Sequence, residues 1–183
     1  MDAVSLDFLN SDWSDYRGSG RKEDRLTQTG WLEQFLARWN LQVALPSNEG
    51  GLRELGRLRT LLRHIVVTIS SGEQPRAEDI AELNIYLKGA PLYRHLEPRG
   101  EGYQMQQEPL SKDWRWVQGE IAASFAELLT LDDPSRIKKC ENADCNWIYY
   151  DESRNHSRRW CDEGCASLIK VRRFRQRHHQ HIQ

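Results

Sequence analysis

Four cysteines, all between positions 140 and 165, constrain this chain more than any other feature. They form two close pairs, Cys140 with Cys145 and Cys161 with Cys165, separated by fifteen residues. Each pair can bring two sulfurs to one ion, and the loop between the pairs lets them meet. Four soft thiolates favour Zn²⁺ in a closed tetrahedral site. Two disulfides, or four unrelated thiols, are the alternatives.

The start of the chain bears on that choice. It reads MDAVSLDFLN, without the basic and apolar regions of a secretory signal. We therefore expect a cytoplasmic protein, in which persistent disulfides are uncommon. No apolar run approaches the roughly twenty residues that a membrane helix needs, so we expect no membrane association. One structural zinc ion is the favoured interpretation.

Charge divides the chain into two parts. Residues 1–133, the N-terminal segment, carry 15 Lys and Arg against 21 Asp and Glu, a net charge of −6. Residues 134–183, the C-terminal segment, carry 11 against 6, a net charge of +5. A short acidic segment that contains a proline, at positions 132–135, marks the predicted domain boundary. The basic segment indicates a polyanionic partner, most often nucleic acid.

Apolar periodicity predicts the fold of the N-terminal segment. Residues 5–10 are expected to form the entry turn of a helix, and residues 11–22, polar and glycine-bearing, a loop. Residues 89–109 contain two short alternating runs around a glycine-rich turn, which predicts a β-hairpin. Apolar residues recur at helical spacing in residues 25–41, 52–69, 75–88 and 111–130.

The sequence therefore predicts a mostly α protein. It has a helical N-terminal domain with a small β-hairpin, and a C-terminal four-cysteine zinc-finger module that ends in a basic helix. We interpret the arginines of the helix at 52–69 as its solvated face. Tyr93 and Tyr103 of the hairpin are expected to cover the helical core, and Asp151 is expected to cap backbone amides in a turn.

The last helix combines apolar and basic strips. Leu168, Val171 and Phe174 recur every three residues, and Lys170, Arg173 and Arg177 follow a neighbouring strip. We expect the apolar strip to pack on the cysteine knuckles and the basic strip to face phosphate. The alternative is that the basic helix docks on the acidic N-terminal segment.

The C-terminal segment also carries a recognisable pattern. Besides the four cysteines, its members are Trp147, Asp151, Ser153, Arg154, Asn155, Ser157, Arg158, Arg159, Trp160 and the run from Lys170 to Phe174. These residues resemble the CGNR-type zinc finger, which in bacterial proteins follows a stress-induced transcriptional regulator domain. Ala166, Ser167 and Leu168 stand where that family has Gly, Asn and Arg. The opening LDFLN, with Trp31 and Trp39, resembles the accompanying N-terminal domain.

This resemblance and the basic patch together imply a zinc-dependent, DNA-binding transcriptional regulator. The finger, residues 134–183, would contact DNA, and the domain at residues 1–133 would sense a signal or dimerise. Expected partners are DNA, a second copy of the chain and a small-molecule effector. The predicted zinc ligands are the four cysteines, and the predicted nucleic-acid-binding residues are Arg154, Arg158, Arg159, Lys170, Arg172, Arg173, Arg175 and Arg177.

Two other functions remain open at this point. One is a zinc-stabilised protein–protein interaction module, and the other is RNA binding, to which mixed aromatic and arginine residues are equally suited. An enzyme is the least favoured class, because a zinc ion with four thiolate ligands has no open position for substrate.

Overall fold

A computed structural model describes residues 1–44, 49–130 and 133–180. Positions 131 and 132, at the predicted domain boundary, lie outside the described residues. Within the described ranges the helices are α1 (Val4–Leu9), α2 (Thr29–Arg38), α3 (Glu49–Ser70), α4 (Ala77–Lys88), α5 (Trp114–Thr130) and α6 (Glu163–Gln180), with 3₁₀ turns at Arg25–Thr27 and Pro134–Arg136.

The strands form two-stranded antiparallel sheets. They are β1 (Asp12–Ser14) with β2 (Lys22–Asp24), β3 (Leu92–Arg99) with β4 (Gly102–Pro109), and β5 (Ile137–Lys139) with β6 (Ile148–Tyr150). The fold is thus mostly α, as predicted, with a four-cysteine segment at its C-terminal end. No helix in the described part of the chain is long and apolar enough to cross a bilayer.

Helix α3 lies at the centre of the core. Its apolar residues repeat at threes and fours, which puts them on one broad face of the helix. α1 and α5 both contact this helix, and α4 packs against α3 and α5. Fully buried side chains in this core include Phe8, Leu55, Leu58, Leu62, Ile65, Val66, Val117, Ile121 and Phe125.

The β3–β4 hairpin has the position that the sequence predicts but a different role. Leu96 lies opposite Met105 and Pro98 opposite Tyr103, so these four side chains share one face. Tyr103 is 76% exposed and Tyr93 44% exposed, so the expectation that they cover the helical core is wrong. The hairpin instead presents its apolar side chains to solvent.

Residues 11–22 are not one loop, as we had expected. Asp12–Ser14 form β1, which pairs with β2 in the register Trp13 to Glu23. Three-residue strands of polar composition give no periodic signal, which is why the sequence did not predict this hairpin.

Two arginines of α3 bind groups within the fold instead of forming a solvated face. The Arg59 guanidinium donates to both carboxylate oxygens of Asp24 at 2.7 Å, and to the Ser11 hydroxyl at 2.9 Å. Arg63 donates to the carbonyl oxygens of Leu9 and Asn146, each at 3.0 Å. Arg63 therefore ties α1 and the C-terminal segment to the central helix, which corrects the sequence interpretation.

The C-terminal segment contributes to the main core. Ile137 and Ile148 are almost completely buried in the same cluster as the helices of the N-terminal segment. Asn10, at the end of α1, pairs with the backbone of Ile148: its amide donates to the Ile148 carbonyl at 2.9 Å and accepts from the Ile148 N–H at 2.8 Å. These buried contacts join β6 directly to α1.

Replacing Asn10 by Ala tests this joint. The change leaves a buried N–H and a buried carbonyl of Ile148 without partners, so we expect a loss of about 2–4 kcal/mol in the free energy of unfolding. Urea unfolding of the zinc-loaded chain measures it. The control is Asn84→Ala on the exposed surface of α4, which we expect to change stability by about 0.5 kcal/mol or less. Equal effects of the two changes would show that the joint contributes nothing.

Candidate metal centre and nucleic-acid interface

The four cysteines converge from two knuckles. Cys140 follows β5, and the turn to Cys145 is closed by a hydrogen bond from the Cys145 N–H to the Asn142 carbonyl at 2.8 Å. Cys161 precedes α6 and Cys165 lies in its first turn, where the Asp162 carboxylate accepts from the Cys165 N–H at 2.8 Å. Asp162 therefore caps the helix that carries the fourth thiol.

The distances between the sulfurs fit one tetrahedral ion. The four Sγ atoms all lie within 4.8 Å of one another. Cys145 Sγ is 3.8 Å from Cys161 Sγ, which is 3.7 Å from Cys165 Sγ. Zn–S bonds of about 2.3 Å in a tetrahedron place sulfurs about 3.8 Å apart, whereas a disulfide bond is about 2.05 Å long. The cysteines are positioned to hold one zinc ion, and all four are free thiols.

The surroundings of the sulfurs also suit a buried zinc–thiolate group. Cys140, Cys145 and Cys165 are buried, and Tyr149 and Trp160 pack against the cluster. The Asn142 side chain donates to Cys165 Sγ at 3.5 Å, and the Cys161 N–H donates to Cys140 Sγ at the same distance. Such donors orient thiolates and disperse their charge. Tyr149 and Trp160 thus shield the sulfurs by packing against them.

The pKa values of the thiols determine how protons compete with zinc for the sulfurs. Hydrogen bonds from Cys145 and Cys161 lower the pKa of Cys140 to about 2. The bond to Cys140 in turn raises the pKa of Cys145 to about 12 and raises that of Cys161, while burial raises the pKa of Cys165. Zinc binding therefore releases thiol protons, because the ion binds thiolates and not thiols.

A buried carboxylate organises the loop between the two knuckles. Asp151 is fully buried and accepts from the Lys138 ammonium at 2.7 Å, the Ser153 N–H at 2.9 Å and the Arg158 N–H at 3.0 Å. Burial alone would raise the pKa of Asp151, but the Lys138 ammonium and these amides hold it well below its usual range. The prediction that Asp151 caps backbone amides is confirmed.

His156 is not part of the thiol cluster. Its Nδ1 lies 2.6 Å from an Asp133 carboxylate oxygen, and its Nε2 contacts the Arg136 guanidinium. His156 has a φ of +50°, which fixes the turn that brings the ring to the junction of the two segments. Its role is to hold that junction.

Three of the predicted nucleic-acid-binding arginines have partners within the fold. The Arg158 guanidinium donates to the Trp160 carbonyl at 2.9 Å and to the Cys161 carbonyl. Arg159 forms an ion pair with Glu141. Arg172 donates to Asp144 at 2.6 Å and to the Arg17 carbonyl at 2.9 Å.

The other five predicted cations lie on the surface. Within the described residues none of them has an acidic hydrogen-bonding partner, and Arg173 lies over the Trp160 ring at 5.8 Å. Residues three and four apart share one helix face, so Lys170, Arg173 and Arg177 line one side of α6. We call Arg154, Lys170, Arg173, Arg175 and Arg177 the exposed set. Arg158 and Arg159 are exposed as well, but they have hydrogen-bonding partners within the fold.

The apolar strip of α6 departs from expectation. Val171 is 46% exposed and Phe174 is 54% exposed, so they do not pack on the knuckles. The helix is held through its first turn, through Arg172 and through Arg173, which lies over the Trp160 ring, while Val171 and Phe174 face solvent. The prediction that this strip packs on the knuckles is therefore wrong for Val171 and Phe174, whereas Leu168 is half-buried.

The turn of the β1–β2 hairpin supports the metal centre, and sequence reasoning missed it. The Tyr16 carbonyl accepts from the Asn142 amide at 2.8 Å. Gly18 has a φ of +88°, and a Cβ there would lie 2.9 Å from both Arg172 and Asp144. Only glycine fits this position without displacing the ion pair. The glycines of residues 11–22 are the sequence signal that could have indicated a close approach.

Metal analysis tests the centre. We expect the purified chain to contain about one zinc per chain, and Cys145→Ser to release it and unfold the knuckles, because structural zinc sites contribute about 10–16 kcal/mol of binding free energy. Ser167→Ala on α6 is the control and should keep its zinc. Zinc affinity should fall as pH falls, since protonation of the thiols competes with the ion. A zinc-free chain with ordered knuckles would contradict this assignment.

Comparison with known families completes the description of the site. Residues 2–132 match the family described as "Putative stress-induced transcription regulator", and residues 136–178 match the CGNR zinc finger. A comparison with curated proteins gave no match. The first match spans well over half of the chain. The chain therefore belongs to this transcription-regulator family and carries its CGNR zinc finger at the C-terminal end.

Proposed function

We propose that this protein is a zinc-dependent transcriptional regulator whose C-terminal segment binds DNA. The N-terminal segment, residues 1–133, then senses a signal or mediates dimerisation, and the protein acts in the cytoplasm. The observation that carries the proposal is the exposed set of cations on and beside α6, none of which has an acidic hydrogen-bonding partner among the described residues, with Lys170, Arg173 and Arg177 on one face. Cations without acidic partners are free to contact phosphate.

The paired arginines take a different part in this proposal. Arg158 and Arg172 bind carbonyl and carboxylate groups of the fold itself. We therefore assign direct DNA contacts to the exposed set and a positioning role to Arg158 and Arg172. Arg159 remains a weaker contact residue, because Glu141 competes for its guanidinium.

Zinc supplies rigidity in this arrangement. Cys161 and Cys165 would anchor the start of α6 to Cys140 and Cys145, which fixes the direction of a helix whose far end has few other contacts. A helix held in this way has the width to enter the major groove of DNA. With four thiolates bound, the ion has no open position, so we assign it no catalytic role.

One observation favours a second candidate, a protein–protein interaction module. Val171 and Phe174 are exposed apolar residues on the same helix as the cations. An amphipathic helix of this kind also fits an apolar groove with an acidic rim. This candidate predicts that Val171→Ser and Phe174→Ser abolish partner binding, while DNA binding stays unchanged.

Salt dependence tests the DNA contact. We expect the triple variant Lys170→Gln, Arg173→Gln and Arg177→Gln to bind duplex DNA more weakly, with a log–log salt slope lower by about 2 to 3, since each phosphate contact contributes about 0.9. Glutamine keeps the helix propensity of α6. Fluorescence anisotropy over a salt series gives the slope, and metal analysis verifies that zinc is retained.

The matched control removes three charges elsewhere, with Lys88, Lys112 and Arg115 each changed to Gln. These residues are exposed and lie outside the C-terminal segment. The control should keep the slope of the unmodified chain. An α6 variant that keeps its zinc and its full salt-sensitive affinity would refute the assigned contact, and equal binding of duplex RNA would redirect the proposal to RNA.

A further inference from the structure

The N-terminal segment contains an open cavity that the DNA-binding proposal does not use. Helices α3 and α4 and the 3₁₀ turn at Arg25–Thr27 surround it, and its volume is about 940 Å³. Leu52, Gly56 and Leu61 of α3 give it an apolar side. Small-molecule sites of proteins have volumes of about 300–1,000 Å³ and combine apolar walls with a few polar groups. The cavity has this character.

Gly56 keeps the cavity open. It lies in the interior of α3, where glycine costs about 1 kcal/mol relative to alanine. Its φ is not positive, and a Cβ at this position would meet no atom within 4 Å. Neither backbone conformation nor packing therefore requires glycine here. What its missing side chain provides is space beside the charged residues of the cavity.

Most charges that line the cavity are already paired. Arg59 binds Asp24, and Arg57 lies 2.6 Å from Glu54. Asp79, which is nearly buried on the α4 side, lies 3.2 Å from His64 and 3.3 Å from Arg76. These pairs leave no unbalanced charge at their positions.

Two lining residues are left without partners in the described part of the chain. They are Arg53 on α3 and Glu82 on α4, and both border the cavity. A guanidinium is a fork-shaped donor that suits a carboxylate, and a carboxylate accepts from an ammonium group. One cation and one anion on different helices form the complement of a ligand that carries both charges.

We propose that this cavity binds a small organic zwitterion of the free amino acid type. Its carboxylate lies at Arg53, its ammonium group lies at Glu82, and its apolar part lies over Leu52, Gly56 and Leu61. This binding activity goes beyond the DNA-binding function and does not depend on it.

Thermal unfolding of the zinc-loaded full chain, with each standard free amino acid added separately, tests the proposal. At about 100 times its Kd, a ligand of the folded state raises the Tm of a chain of this size by roughly 5–10 °C. For the amino acid with the largest shift, the matching amine without the carboxylate and the matching acid without the ammonium group should each give a much smaller shift. The absence of a shift for every amino acid would overturn the proposal.

Three variants locate the site. Arg53→Gln and Glu82→Gln should each reduce the shift at least severalfold, because each removes one of the two charges. Gly56→Leu should abolish it by filling the cavity, without lowering the Tm of the ligand-free chain, since leucine is the better helix former. Arg94→Gln, on the exposed β3–β4 hairpin, is the control and should keep the full shift. A shift that survives Gly56→Leu, or that either singly charged analogue reproduces in full, would contradict the proposed site.

Discussion

Convergence of four thiols on one point is the constraint on which the C-terminal segment depends. A module of this size has too few residues for an independent core, so an ion held by Cys140, Cys145, Cys161 and Cys165 replaces one. The sulfur separations of 3.7 and 3.8 Å show that the backbone already brings the knuckles to tetrahedral spacing. The direction of α6 follows from this centre, because its first turn carries the fourth thiol.

The metal centre is in turn fixed to the rest of the molecule. Ile137 and Ile148 extend the helical core into the β5–β6 sheet, and Asn10 and Arg63 bind backbone groups of the C-terminal segment. On the other side, the turn of the β1–β2 hairpin contacts Asn142 and Arg172. Through Asp24 and Arg59, the same hairpin borders the cavity of the N-terminal segment. The two segments of opposite charge therefore share one core.

Local patterns predicted the helices and the zinc ligands, because both depend on spacing along the chain. The apolar repeat of α3 and the two cysteine pairs are signals of this kind. The features that the sequence did not predict depend on contacts between residues far apart in the chain. The β1–β2 hairpin depends on partners such as Asn142, and the role of Arg63 on the carbonyl of Asn146, 83 positions away. Arg159 and Arg172 differ from the exposed set because they form ion pairs with Glu141 and Asp144. The spacing of residues along the chain does not reveal these pairs.

Hydrogen exchange in the presence of DNA tests the central claim most directly, namely that α6 is the contact surface and that zinc fixes its position. The measurement compares the zinc-loaded chain alone with the chain saturated by random-sequence duplex DNA at low salt. We predict slower exchange at residues 166–178 and at residues 153–159, with α3 unchanged. Protection confined to the N-terminal segment, with α6 exchanging at its original rate, would contradict the account.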